Sequence, residues 1–96
     1  MEFLSWKVED GVAVVSISRP PANALSQGLI KEVDELLNAV EHDEAVRVIV
    51  LHGEGRFFSA GADIKEFTDV QTGEEFAKLA QNGQLVFERL ETFCKP

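Results

Sequence analysis

Phe57-Phe58-Ser59-Ala60-Gly61-Ala62-Asp63-Ile64-Lys65-Glu66-Phe67 lies between two segments of different character. Before it, the apolar run Val46 to Leu51 reads as a buried strand. After it, the chain reads as helix. Ser59, Ala60, Gly61 and Ala62 are all small, so a ligand can approach the backbone of this turn without meeting a bulky side chain. Asp63 and Glu66 are three apart, the capping-box spacing, with Asp63 as N-cap and Glu66 reaching back. The first amide N–H groups of such a helix have no partner within it and can serve an anion or an oxyanion.

Working back towards Met1, the elements that lead to this turn are legible from their patterns. Leu4, Trp6 and Val8 alternate with polar residues, and Val12 to Ile17 follow as a second strand-like run. Glu9-Asp10-Gly11 between them is a hairpin signal. Arg19-Pro20-Pro21-Ala22-Asn23 breaks the second strand, and Asn23 is expected to shape the turn after Pro21. Ser26 is placed to cap a helix running to about His42, with Leu29, Val33, Leu36, Leu37 and Val40 on one apolar face. Lys31, Glu32, Asp34, Glu35 and Glu41 fall largely off that face and read as solvated surface. The last four residues of Val46–Leu51 are apolar on both sides, as in a parallel strand covered on both faces. Strand, helix and strand in succession predict a βαβ crossover, with the small-residue turn at its C-terminal end, where ligands bind in open α/β sheets.

Towards the other end, Thr72-Gly73-Glu74-Glu75 is a second capping box. It opens a long helix with Phe76, Leu79, Ala80, Val86, Phe87, Leu90 and Phe93 along one side. Gly83 shares that side and allows close packing. Lys95-Pro96 ends this helix.

The chain has 96 residues, 45% apolar and 27% charged, within the range of soluble globular proteins. Its formal charge of −8 argues against general nucleic-acid binding, although a local site for an anionic ligand stays open. One cysteine, Cys94, excludes an internal disulfide and is compatible with a reducing compartment. The first residues lack the layout of a signal peptide, and no apolar run approaches the length of a membrane span.

Residues 58–66, Phe-Ser-Ala-Gly-Ala-Asp-Ile-Lys-Glu, resemble the first signature of the crotonase (enoyl-CoA hydratase/isomerase) superfamily, F-x-A-G-A-D-[IL]-K-E. Arg19-Pro20, Asn23-Ala24-Leu25, the run Val46–Leu51 and Gly53 agree in order and spacing. The resemblance extends from about Val12 to Pro96. It implies an α/β fold of the crotonase-like (ClpP/crotonase) ββα-spiral type. It also implies that residues 1–96 are the N-terminal part of that domain, truncated after Pro96. In the family a Lys-Pro pair here leads into the next core strand, then a glycine-rich turn and further catalytic groups.

The same resemblance implies an enoyl-CoA hydratase-type lyase of fatty-acid or acyl-CoA catabolism, which adds water to a 2-enoyl-CoA thioester. The 96 residues alone would then be inactive. Other acyl-CoA reactions of the family (isomerase, hydrolase, dehalogenase, decarboxylase) stay open, as does a non-catalytic fragment or interaction module. The backbone N–H of Ala62 would be one of two oxyanion-hole donors. Ala60, Gly61, Ala62, Asp63, Ile64 and Lys65 would meet the coenzyme A substrate. No cofactor beyond that substrate and no metal is implied. The expected protein is soluble and cytoplasmic, without nucleic-acid or membrane partners, and forms a homotrimer or hexamer.

Read as residues alone, Asp63 and Glu66 are caps, not acid/base groups. Lys65 is either a solvated helix residue or a charge near the phosphates. His42 and His52 stand without a Cys/His cluster at metal spacing and are read as structural. Cys94 is read as a small buried hydrophobe, and Phe57 and Phe58 as core.

Overall fold

The computed structural model describes residues 1–20, 23–55, 59, 61 and 73–96, the Phe76 side chain excepted. Strands β1 (Leu4–Glu9) and β2 (Val12–Ile17) form an antiparallel hairpin. Asp10 and Gly11 both have positive φ, 52° and 80°. That is the backbone a two-residue primed turn requires, and an Asp-Gly pair adopts it at low cost. Helix α1 (Gln27–Val40) follows, then strand β3 (Val48–Gly53), which pairs in parallel with β2. The sheet order is β1-β2-β3, so β2–α1–β3 is the expected βαβ crossover. Helix α2 (Gly73–Glu91) packs against α1.

Helix α1 starts where its sequence says it should. The Ser26 side chain accepts the Leu29 N–H at 3.1 Å, which satisfies one of the orphan amides of the first turn. Leu29, Leu36, Leu37 and Val40 are fully or nearly fully buried. Leu29, Leu36 and Val40 form one cluster with Leu4, Ala13, Val15, Ile17 and Val46, with Trp6, Ile49 and Leu51 packed at the margin. The C-terminus of α1 is completed from a distance. Lys95 Nζ donates to the carbonyls of Val40 and Asp43 (2.8 Å to Asp43), which brings a cation to the negative end of the helix. The Pro96 carbonyl accepts the Ile49 N–H at 2.9 Å, so the backbone after α2 runs up to the edge of β3.

Four expectations are corrected. The strand predicted as Val46–Leu51 is displaced to Val48–Gly53. Val46 N–H bonds Asp43 O at 3.0 Å, and Arg47 N–H bonds Gly11 O at 2.7 Å. These bonds bend the backbone before the ladder begins. Nor, among the described residues, is β3 covered on both faces: Val48 and Val50 are exposed, as is their neighbour Val14 on β2. Alternation along the ladder puts Ile49 and Leu51 on the core side, and no described element lies on the other.

Glu32 is not on a solvated face. It is buried, and its carboxylate accepts the Phe3 N–H (3.0 and 3.2 Å) and the Leu4 N–H (3.2 Å). Cys94 is exposed, because α2 ends at Glu91 and the following turn directs Phe93, not Cys94, towards the core.

On α2, Val86 and Leu90 join the core margin as expected, whereas Phe87 is 43% exposed. Gly83 is buried, and a β-carbon there would lie 3.5 Å from Ile30 Cδ1. That is an ordinary van der Waals contact, so the α1–α2 approach at Gly83 admits a β-carbon. His52 donates to or accepts from Ser16 Oγ at 2.7 Å on the exposed side of the sheet, and His42 is solvent-exposed. The readings placed on Phe57, Phe58, Asp63, Glu66 and Thr72, and on the helix after the small-residue turn, lie outside the described residues.

Candidate functional site

The small-residue turn meets the chain that leaves β2. Asn23 is the centre of that meeting. It is buried, 2% exposed, and its φ of 53° lies in the left-handed region that asparagine tolerates better than most residues. Its N–H donates to Arg19 O at 2.8 Å, and its Oδ1 accepts the Arg19 N–H at 2.7 Å. Together these bonds close the loop after β2 on itself. Nδ2 donates to Glu54 O at 3.1 Å and so ties the loop to the residue just after β3.

Two further contacts reach the turn. Ser59 Oγ donates to the Asn23 carbonyl at 2.8 Å and accepts the Gly61 N–H at 3.2 Å. Leu25 N–H donates to the Gly61 carbonyl at 2.7 Å. Gly61 is thus held at its N–H and at its C=O. Its φ is +105°, a conformation L side chains rarely adopt, while among the described residues a β-carbon there would meet nothing within 4 Å. The backbone by itself favours glycine at this position. Arg19 lies beside the clamp: one guanidinium nitrogen donates to Ala24 O at 3.1 Å, and its charge sits 5.7 Å from the Phe3 ring centroid.

Of the residues expected to meet substrate, Gly61 is placed at the C-terminal ends of the parallel strands. Ala60, Ala62, Asp63, Ile64 and Lys65 lie outside the described residues. The roles of Asn23 as a hub and of Ser59 as a relay were not foreseen beyond Asn23's turn. The available signal was an asparagine two residues after Pro21, followed by a serine in a turn of otherwise small apolar residues. Among the described residues, no group of three or more His, Cys, Asp or Glu is placed to hold a metal ion. A groove of about 580 Å³ runs between α1 and α2, lined by Ile30, Lys31, Asn82 and Arg89 among others, and does not include the clamp.

A family model described as enoyl-CoA hydratase/isomerase matches residues 7–96. The chain belongs to this family. It is 51% identical over 96 residues to a Bacillus subtilis protein named "Probable enoyl-CoA hydratase", covering all of this chain and 37% of that relative. It is 44% identical over 92 residues to the short-chain-enoyl-CoA hydratase of Clostridium acetobutylicum, covering 92% of this chain and 34% of the relative. The chain thus spans little more than a third of the length of either.

Solved structures agree. DspI of Pseudomonas aeruginosa superposes with a TM-score of 0.89 at 26% identity, over 99% of this chain and 39% of that one. An enoyl-CoA hydratase of Bacillus anthracis superposes at 0.88 with 28% identity, over 97% of this chain and 37% of that one. The fold is therefore the N-terminal part of the crotonase fold, as the signature implied. No described helix is long and apolar enough to cross a membrane.

Proposed function

We propose that this chain forms the N-terminal part of an enoyl-CoA hydratase that adds water across the double bond of a 2-enoyl-CoA thioester. Hydroxyl bonds to the β-carbon, a proton goes to the α-carbon, and negative charge accumulates meanwhile on the thioester oxygen. The Ala62 N–H is one donor to that oxygen. Backbone groups across Ala60 to Ile64, with Lys65 nearby, meet the coenzyme A moiety. The second donor and the acid/base carboxylates are contributed from beyond Pro96. Substrate is the only source of coenzyme A, and no metal takes part. The active form is a soluble, cytoplasmic homotrimer or hexamer.

The observation that carries this reading is the fixation of Gly61 by Leu25 and Ser59 at the C-terminal end of the parallel strands. A backbone donor lowers a barrier only when it is held in place before charge develops. Here the turn residue preceding the assigned donor is held on both sides. The hydratase names of the relatives support the choice of reaction.

The test is loss of the conjugated thioester absorbance when the full-length protein meets crotonyl-CoA. Ala62→Pro removes the N–H and lowers turnover about 100- to 1000-fold, with a smaller change in affinity for a saturated acyl-CoA. Circular dichroism confirms that the variant is folded. Unchanged turnover in a folded Ala62→Pro protein would show that the donor lies elsewhere.

A further inference from the structure

We propose that the groove between α1 and α2 is a binding site for an amphipathic anion, a medium-length alkyl carboxylate, with its head at Lys31 and its tail along Leu85. The site is separate from the Gly61 turn and does not depend on the functional reading above.

The shape of the groove follows from how the two helices pair. Gly83 lies against Ile30 and Arg89 reaches Asp34, so α1 and α2 run side by side in the same direction. Gln27 to Asp34 form one wall and Asn82 to Arg89 the other. Two turns of each helix make a trough about 10 Å long. Its volume of about 580 Å³ is within the range of small-molecule sites.

The lining is apolar along α2 and charged at chosen points. Val86 packs against the core, whereas Leu85 is left 55% exposed beside it. Ile30 adds apolar surface from α1. Of the charged side chains in the lining, Arg89 and Asp34 pair with each other at 2.7 Å, and Arg89 also reaches Glu41. Lys31 makes no ion pair or hydrogen bond among the described residues. The groove therefore presents one uncompensated cation on a chain of net charge −8.

Gln27 and Gly28, in the first turn of α1, line the end of the groove. Lys31 lies four and three residues beyond them, on the same helix face. The first-turn amides lack intrahelical acceptors, and this is the positive end of the helix. A carboxylate placed there meets a cation and the helix end together, while its alkyl chain lies along Leu85 and Val86 towards Arg89. A neutral alkyl head leaves Lys31 unanswered, and an anion without a tail leaves Leu85 in water.

The experiment is calorimetric titration of the full-length protein with octanoate, octanol and acetate. Saturating butyryl-CoA is present throughout to fill any acyl-CoA site. Two variants locate the ligand: Lys31→Met deletes the charge and keeps the length, and Leu85→Glu sets a like charge on the apolar wall. Both positions are exposed, so the fold is retained, as circular dichroism checks. Octanoate is expected to bind at least about tenfold more tightly than octanol or acetate, and each variant to weaken it about tenfold.

Equal affinity for octanol would make the groove a purely apolar surface, and equal affinity for acetate would make it an anion site without a tail pocket. Either result overturns the assignment, as does wild-type affinity for octanoate in either variant. Absence of octanoate binding overturns it too. A change of sedimentation coefficient in Leu85→Glu, without octanoate binding to the wild type, would show the groove to be an interface between copies of this chain. Failure of butyryl-CoA itself to bind would count against the functional reading and leave the groove's own result standing.

Discussion

Arg89 on α2 places Nη1 2.7 Å from Oδ1 of Asp34 on α1 and 3.2 Å from the Asp34 carbonyl. Its other terminal nitrogen reaches Glu41 Oε2 at 3.5 Å, and its guanidinium lies 5.9 Å from the Phe93 ring centroid. One cation therefore joins Asp34 of α1 and Glu41, the C-cap that follows it, to the end of α2. Asp34 is 44% exposed and Arg89 28%, so water and salt screen much of the attraction. Arg89→Ala is expected to destabilise the full-length protein by about 1 kcal/mol. Urea unfolding at low and at high salt checks this: the difference from wild type narrows as salt rises.

The Glu32 carboxylate behaves differently, because it is buried and accepts backbone amides of the chain that enters β1. Removing it leaves two N–H groups without this acceptor. Glu32→Ala is expected to cost about 2–3 kcal/mol, with little dependence on salt. Glu32→Gln keeps one acceptor oxygen and is expected to cost less. If Glu32→Ala unfolds at the wild-type urea midpoint, the clamp contributes nothing.

Gly83 tests packing in the opposite direction. The position is helical, and its would-be β-carbon makes an ordinary contact with Ile30. Gly83→Ala is therefore expected to stabilise by about 0.5–1 kcal/mol through helix propensity. Gly83→Leu, which drives a branched side chain between the helices, is expected to destabilise by about 1–3 kcal/mol. Thermal unfolding of the pair should bracket the wild type.

What could be read from the chain was whatever local chemistry decides. Asp10-Gly11 dictates a primed turn by its own φ preference, and Ser26 caps the amide three residues on. The apolar period of α1 names its buried face without reference to anything distant. What was misread depends on partners far along the chain. Val48 and Val50 look like core in composition, yet no described element covers the face they share. Glu32 lies three residues after Leu29 and four before Leu36, at the edge of the apolar face. Its burial depends on Phe3 and Leu4 arriving there. Cys94 follows a helix end that falls just before it. At the candidate site, the family signature pointed to the turn and to Gly61. The clamp on Gly61 joins residues 23, 25, 54 and 59, a set no single motif contains.

The primed turn at Asp10 and Gly11 also orders events in time. Hairpins of this kind close in about 1–10 μs. The parallel pairing of β2 with β3 joins residues 36 apart, as between Ser16 and His52, and must wait for the intervening chain to fold back. Between the two events β2 is zipped to β1 on one side and bare on the other. Its valines and unpaired amides then form a sticky edge open to a neighbouring molecule. Prompt formation of α1, helped by the Ser26 cap, shortens that interval, so a weakened cap would appear first as lost yield during refolding.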